Sequence, residues 1–177
     1  MPDETSQTDS DYLWERRHKI LYKAELSTLY HQKRERFFDI ADKMAKAISV
    51  IGGSVSFGQV IANQSILKWI LAAITISSAF SLVMSFSDKS RRHSELARNF
   101  KMLQSTILAV GERDFTEEQL TEWYAKAVSL EASEPPSLGS LVILCQNEIA
   151  RAQGHSELIK SLSLWRRMTA HFLDSAA

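Results

Sequence analysis

Residues 47–87 read AISVIGGSVSFGQVIANQSILKWILAAITISSAFSLVMSFS, and the reading of this stretch decides the fold. Lys68 is its only formal charge in 41 residues. On either side the chain is dense in charge, with nine basic and nine acidic residues in 1–46, and eleven and twelve in 88–177. A helical membrane span needs about 20 apolar residues, so the run is too long for one span. It suits two helices joined by a tight turn, placed at Asn63-Gln64-Ser65, the most polar tripeptide within it.

The first arm, Ala47 to Ala62, gives about 24 Å of helix at 1.5 Å per residue, short of a hydrocarbon core of about 30 Å. Met44 and Ala45 extend it if Lys43 and Lys46 snorkel toward the headgroups. The second arm, Ile66 to Ser87, gives about 33 Å. Lys68 opens it, where snorkelling costs little, and Trp69 suits the membrane interface. The expected spans are therefore about 44–62 and 66–87. Large apolar residues give the second arm roughly −3 to −6 kcal/mol of insertion energy. The first arm is poorer, with three glycines and three serines, and would insert together with its partner as a hairpin. A buried hairpin in a soluble bundle is the competing reading. It requires polar residues on one face of each arm, and only Ser, Thr and Gln occur there. The membrane reading is favoured.

Basic residues flanking the spans set the orientation. Residues 31–46 hold five, the turn holds Lys68 alone, and residues 87–101 hold five, including Lys89, Arg91 and Arg92. Both termini are expected in the cytoplasm. The opening MPDETSQTDS is polar and acidic without a signal-peptide pattern, so the first arm itself would target the membrane.

The wider composition fits an all-α chain. Six glycines and three prolines in 177 residues favour long helices over many strands and turns. Equal totals of 21 basic and 21 acidic residues argue against direct nucleic-acid binding. A lone Cys145 excludes an internal disulfide and fits a reducing compartment. It lies on an apolar helix and reads as core.

Upstream, Tyr22, Leu26, Leu29, Phe37, Ile40, Met44, Ile48 and Ile51 form one helical stripe, so a helix is expected from about Tyr12 into the first span. Glu15–Lys19, Asp39–Lys43 and Asp42–Lys46 are spaced for ion pairs, on what reads as a solvated face. Downstream, Leu96, Phe100, Leu103, Ile107 and Val110 share a face, and Gly111 stops that helix. Thr116 with Gln119 is a capping-box pattern that opens a helix to about Ala132, broken at Glu134-Pro135-Pro136. Two shorter helices are expected near 138–153 and 156–173. The predicted organisation is a disordered 1–11, a two-transmembrane helical domain over 12–110, and a C-terminal cytosolic helical region over 111–177.

Catalytic residues, metal ligands and cofactors are not expected. The five histidines never pair at metal-ligand spacing, and His31 and His93, beside basic residues, read as surface or interface groups. The arms carry a different pattern. Ser49, Gly53 and Ser56 fall at i, i+4, i+7, and Ser78, Ser81 and Ser85 at i, i+3, i+7. Small residues so spaced permit close helix packing in a bilayer. In an oligomer the same hydroxyls could line a water-filled path, which two helices alone cannot enclose. Both roles stay open.

This layout resembles the SLATT family, bacterial two-transmembrane domains found beside nucleotide-sensing defence genes. The resemblance rests on Tyr30-His31-Gln32-Lys33-Arg34-Glu35-Arg36-Phe37-Phe38-Asp39 leading into the first span, on the two small-residue-rich spans with a tight turn, and on Asp88-Lys89-Ser90-Arg91-Arg92-His93 followed by Leu96, Phe100 and Leu103. It covers about residues 12–110. The resemblance implies a membrane effector of antiphage defence that forms homo-oligomers and permeabilises the membrane on a nucleotide or infection signal. It also implies a nucleotide-sensing or nucleotide-synthesising partner protein, since no nucleotide motif carries over. Lys43, Lys46, Lys68, Trp69, Lys89, Arg91 and Arg92 are then the candidates for contact with lipid headgroups or an anionic ligand. A membrane-anchored regulator and a soluble helical-bundle adaptor, neither forming a pore, are the alternatives.

Overall fold

No glycine or proline occurs between Glu4 and Ile51, and one helix, α1 (Glu4–Gly58), runs for 55 residues through that stretch. It opens before Tyr12 because nothing in residues 4–12 interrupts a helix. The three predicted ion pairs form along it: Glu15–Lys19 at 2.7 Å, Asp39–Lys43 at 2.7 Å and Asp42–Lys46 at 2.6 Å. Such exposed pairs contribute a few tenths of a kcal/mol each.

The computed structural model describes residues 4–58, 64–112 and 114–172, and among these every regular element is helical. After α1 come α2 (Gln64–Met84), α3 (Phe86–Ala109), α4 (Glu117–Glu131), α5 (Gly139–Ala152), a 3₁₀ turn at Ser156–Leu158 and α6 (Leu164–Thr169). The chain is all-α. Of the predicted turn, Gln64 and Ser65 already belong to α2, while Asn63 lies outside the described residues. The chain forms two compact units, one of residues 1–32 with 94–177 and one of residues 33–93, so α1 and α3 each contribute to both.

In the unit of 1–32 and 94–177, three helices share a core. Ile20 and Ala24 of α1 meet Phe100, Leu103 and Ile107 of α3, and Leu120, Trp123, Ala127 and Leu130 of α4. The α3 and α4 positions recur at steps of three and four, as an amphipathic helix requires. The capping box predicted for α4 is present: Gln119 N–H donates to Thr116 Oγ1 at 3.2 Å, and Thr116 N–H to Gln119 Oε1 at 2.9 Å. A second cluster joins Tyr30 of α1 to Leu141 and fully buried Cys145 of α5 and to Ala170.

Polar residues of α1 are buried inside this unit, contrary to a solvated face. Arg17 is buried, and its Nη2 donates to the carbonyls of Ile107 at 3.2 Å and Val110 at 3.4 Å. Those carbonyls end α3 and have no helical partner of their own. The guanidinium also lies 5.6 Å from the centre of the Phe115 ring, so its charge faces a helix C-terminus and a π face. His31, expected at the surface or an interface, is fully buried, with Nε2 3.1 Å from Glu134 Oε1 and its ring stacked on Phe100. Beside it, the Tyr30 hydroxyl accepts the N–H of Leu138 at 3.1 Å, which caps α5 where no side chain of its own does. Adjacent residues of α1 thus hold both ends of the loop broken by Pro135 and Pro136.

The helix predicted over 156–173 is only partly formed. Gly154 takes φ +81°, and His155 N–H reaches Ala150 O while Gly154 N–H reaches Arg151 O, a Schellman ending to α5. Buried Asn147 then claims the backbone of Lys160: Nδ2 donates to Lys160 O at 2.7 Å, and Lys160 N–H donates to Oδ1 at 2.8 Å. Both Lys160 groups are used there, so the helix restarts only at Leu164. Glu157, in the 3₁₀ turn, is held below the usual carboxylate range by a backbone hydrogen bond first and by His155 next. Its contribution to this turn is present above the ordinary carboxyl pKa and is lost as pH falls through the lowered one.

Arg17→Met should lower stability by about 2 kcal/mol, because two carbonyls lose a charged donor. Arg17→Lys, able to reach one of them, should fall between; circular dichroism of unfolding in detergent measures both. Asn147→Ala should also cost about 2 kcal/mol and speed amide exchange at Lys160. Unchanged exchange there would mean the side chain does not hold the segment.

Candidate functional site

In the unit 33–93 the second half of α1 runs antiparallel to α2 and the start of α3. Two contacts fix the register. Ser90 Oγ donates to Glu35 O at 3.3 Å, and Ser49 Oγ lies 3.2 Å from Ser78 Oγ. Ser49 Oγ also lies 3.1 Å from the Ala45 carbonyl, to which it can donate.

The two ends of this hairpin differ in chemistry. At the charged end, Phe38 is buried, stacked on His93 with centroids 5.6 Å apart and on Phe86 at 6.3 Å. The Arg34 guanidinium lies 4.4 Å from the centre of the same ring, and Lys89 Nζ lies 5.8 Å away. Cations over an aromatic face are attracted by its quadrupole, and that attraction helps join two helices here. His93, expected at the surface or an interface, is buried in this cluster.

Toward the other end, the outward side chains are apolar. Ile40, Met44, Ile48 and Ile51 of α1, with Trp69, Ile76, Phe80 and Val83 of α2, are exposed. Ser49, Ser78 and Ser81 are half-buried instead. Hydroxyls lie between the helices and hydrocarbon lies outside, the reverse of a helix pair in water. One helix, Leu71–Ala109, is long and apolar enough to cross a membrane by length and composition, and none of its apolar window is buried within the chain. Ser85, at φ +47°, separates α2 from α3: its N–H donates to Ser81 O and its carbonyl accepts Lys89 N–H.

The other candidate residues are placed as follows. Gly53 and Ser56 fall outside the residues whose side chains the structure describes. Ser85 is exposed at the bend. Lys43 and Lys46 are exposed and paired to Asp39 and Asp42. Lys68 and Trp69 line a shallow open depression with Ser65 and Ala72. Arg91 and Arg92 are exposed on α3. Arg34, Phe38 and His93 were not singled out from sequence as site residues. The pair Phe37-Phe38 gave a signal, but the periodicity assigned the inward position to Phe37.

Among the described residues no group of three His, Cys, Asp or Glu side chains could hold a metal ion. A cleft in the unit of 1–32 and 94–177 is lined by Glu25, Glu148, Lys101 and Gln104, with Lys101 Nζ donating to Gln104 Oε1 at 2.8 Å. Its mixed charges select neither an anion nor a cation.

Phe38→Ala should cost about 3–5 kcal/mol in the hairpin unit, by loss of a buried ring. The Ser49→Ala, Ser78→Ala double-mutant cycle should give a coupling of only about 0.6 kcal/mol. Unfolding in mixed micelles measures both, and a coupling above the Phe38→Ala effect would overturn this ranking.

Comparison with protein families, with curated proteins and with solved structures finds no match to this chain.

Proposed function

We propose that the unit 33–93 inserts as a two-span hairpin into the bacterial inner membrane, with both termini cytoplasmic. In this reading the chain assembles with further copies and permeabilises that membrane as an antiphage effector. The observation that carries the reading is the polarity of the hairpin, with Ile48, Ile51, Ile76 and Val83 exposed and Ser49 and Ser78 joined between the arms. A soluble bundle would bury the apolar window of Leu71–Ala109, and none of it is buried. The likeness of residues 30–39 and 88–93 to the SLATT family supplies the biological setting and the nucleotide-sensing or nucleotide-synthesising partner.

The chemistry available to such an effector is assembly rather than catalysis. Two helices cannot enclose a water path, so several hairpins must contribute. Exchanging the Ser49–Ser78 hydrogen bond for bonds between subunits costs little, since such hydroxyl pairs are worth about 0.6 kcal/mol. Rotation of the same serine stripe would then turn a closed packed hairpin into a hydrated wall. A signal received by the cytosolic helices would reach it along α1 and α3.

A second reading is favoured by the same Ser49–Ser78 contact: a packed hairpin that anchors a regulator without conducting ions. Ser81→Leu with Ser85→Leu separates the two. A pore should lose dye release from proteoliposomes and membrane depolarisation in cells, whereas an anchor should keep its partner binding. The chain should resist alkaline carbonate extraction and run as an oligomer in detergent. Quantitative recovery in the soluble fraction without detergent would overturn the membrane reading and leave a soluble adaptor. Intact membrane potential under every trigger would overturn the pore.

A further inference from the structure

Residues 158–172 leave large apolar side chains in water. Leu164, Trp165, Met168 and Phe172 are 76%, 70%, 77% and 70% exposed. The cause is local packing. Ala170 is fully buried against the Tyr30, Leu141 and Cys145 cluster, and Asn147 fixes the Lys160 backbone, so one side of α6 is held inward. Positions 164, 165, 168 and 172 fall at i, i+1, i+4 and i+8, which is the opposite face. The Phe172 N–H donates to Thr169 O at 2.9 Å and carries the turn on past α6.

The charge of the segment is one-sided. Lys160, Arg166 and Arg167 lie within it, and no acidic residue occurs between Glu157 and Asp174. Lys160 and Arg167 are exposed beside the apolar face. A second copy docking face to face would bring these cations together, which disfavours that occupant. Tryptophan, phenylalanine and leucine flanked by basic residues match the headgroup and acyl boundary of an anionic bilayer.

We propose that the α6 segment is an interfacial membrane-binding element, seated through Leu164, Trp165, Met168 and Phe172 on anionic lipid, with Lys160 and Arg167 at the headgroups. This goes beyond hairpin insertion, because it adds a reversible contact made by the unit of 1–32 and 94–177. Each basic residue near an anionic surface raises partitioning about fivefold, so lipid charge decides occupancy.

The test uses the full chain with Met168→Cys, spin-labelled and reconstituted in vesicles; background at buried Cys145 is measured on the unsubstituted chain. In phosphatidylglycerol-rich vesicles the label should be accessible to oxygen and shielded from a water-soluble relaxation agent. In phosphatidylcholine vesicles it should be open to water. Lys160→Glu with Arg167→Glu should lower the ratio of seated to free segment at least about 25-fold in the anionic vesicles, two fivefold factors. Equal water access in both lipids would overturn the proposal. Shielding that persists in detergent and ignores lipid charge would also overturn it, in favour of a protein occupant. Carbonate extraction of the same samples reports the hairpin separately. An extractable chain is floated with the same vesicles, so failure of the spans and failure of the α6 contact are distinguishable.

Discussion

The inner stripe of α1 constrains both units. Its buried positions run Arg17, Ile20, Ala24, Thr28, His31 and Phe38, at steps of three, four, four, three and seven. Half of these are polar, and each polar member has a dedicated role. Arg17 closes the end of α3, Thr28 returns its hydroxyl to Ala24 O at 2.7 Å, and His31 meets Glu134. A buried donor without a partner costs about 1–3 kcal/mol, so this stripe tolerates little rotation of α1 about its axis. Within the unit 33–93, the Phe38 ring joins α1 to Phe86 and His93.

The same helix presents opposite polarities along its length. From Ile20 to Gln32 its apolar members are buried or half-buried, as Ile20 and Ala24 are; beyond Asp39 its large apolar members, Ile40, Met44 and Ile48, are outside. Helix packing in water places hydrocarbon inward because burial of apolar area is the driving force. Between helices in lipid that force is absent, and small hydroxyl-bearing residues come together instead. The change falls beside the Phe38 cluster, whose cations Arg34 and Lys89 lie over one aromatic face.

Much of this was legible in the sequence, and the failures share one cause. The all-α class, the capping box at Thr116, the end of α5 at Gly154 and the inward face Leu96–Phe100–Leu103–Ile107 follow from periodicity and local backbone chemistry. The inward stripe of α1 does not. Hydropathy selected Tyr22, Leu26, Leu29 and Phe37, a neighbouring stripe, because Arg17, Thr28 and His31 interrupt the true one with polar side chains. Thr28 is satisfied locally by Ala24 O, but the burial of Arg17 and His31 depends on acceptors and rings about 70 to 100 residues away in sequence, such as Ile107 O for Arg17 and Phe100 for His31. No local window contains those partners. Asn147 and Lys160 repeat the lesson at 13 residues, where a side chain takes the backbone groups that a continued helix would have used.

Ser85 shows how the change of polarity is built into the backbone. Between α2, which has Lys68 as its one charge, and α3, which opens with Asp88 and Lys89, the chain bends at a residue with φ +47°. For a side chain other than glycine that conformation costs about 1–2 kcal/mol, yet Ser85 N–H still reaches Ser81 O and its carbonyl still receives Lys89 N–H. The hydrogen-bond ladder therefore stops and restarts at one residue, whose N–H closes α2 and whose carbonyl opens α3. The last carbonyls of α2 and the first N–H groups of α3 are those that a helix end leaves without intrahelical partners. Such groups cost several kcal/mol each against hydrocarbon, so a helix junction of this kind suits the position where apolar residues give way to charged ones such as Asp88 and Lys89, which keep water near.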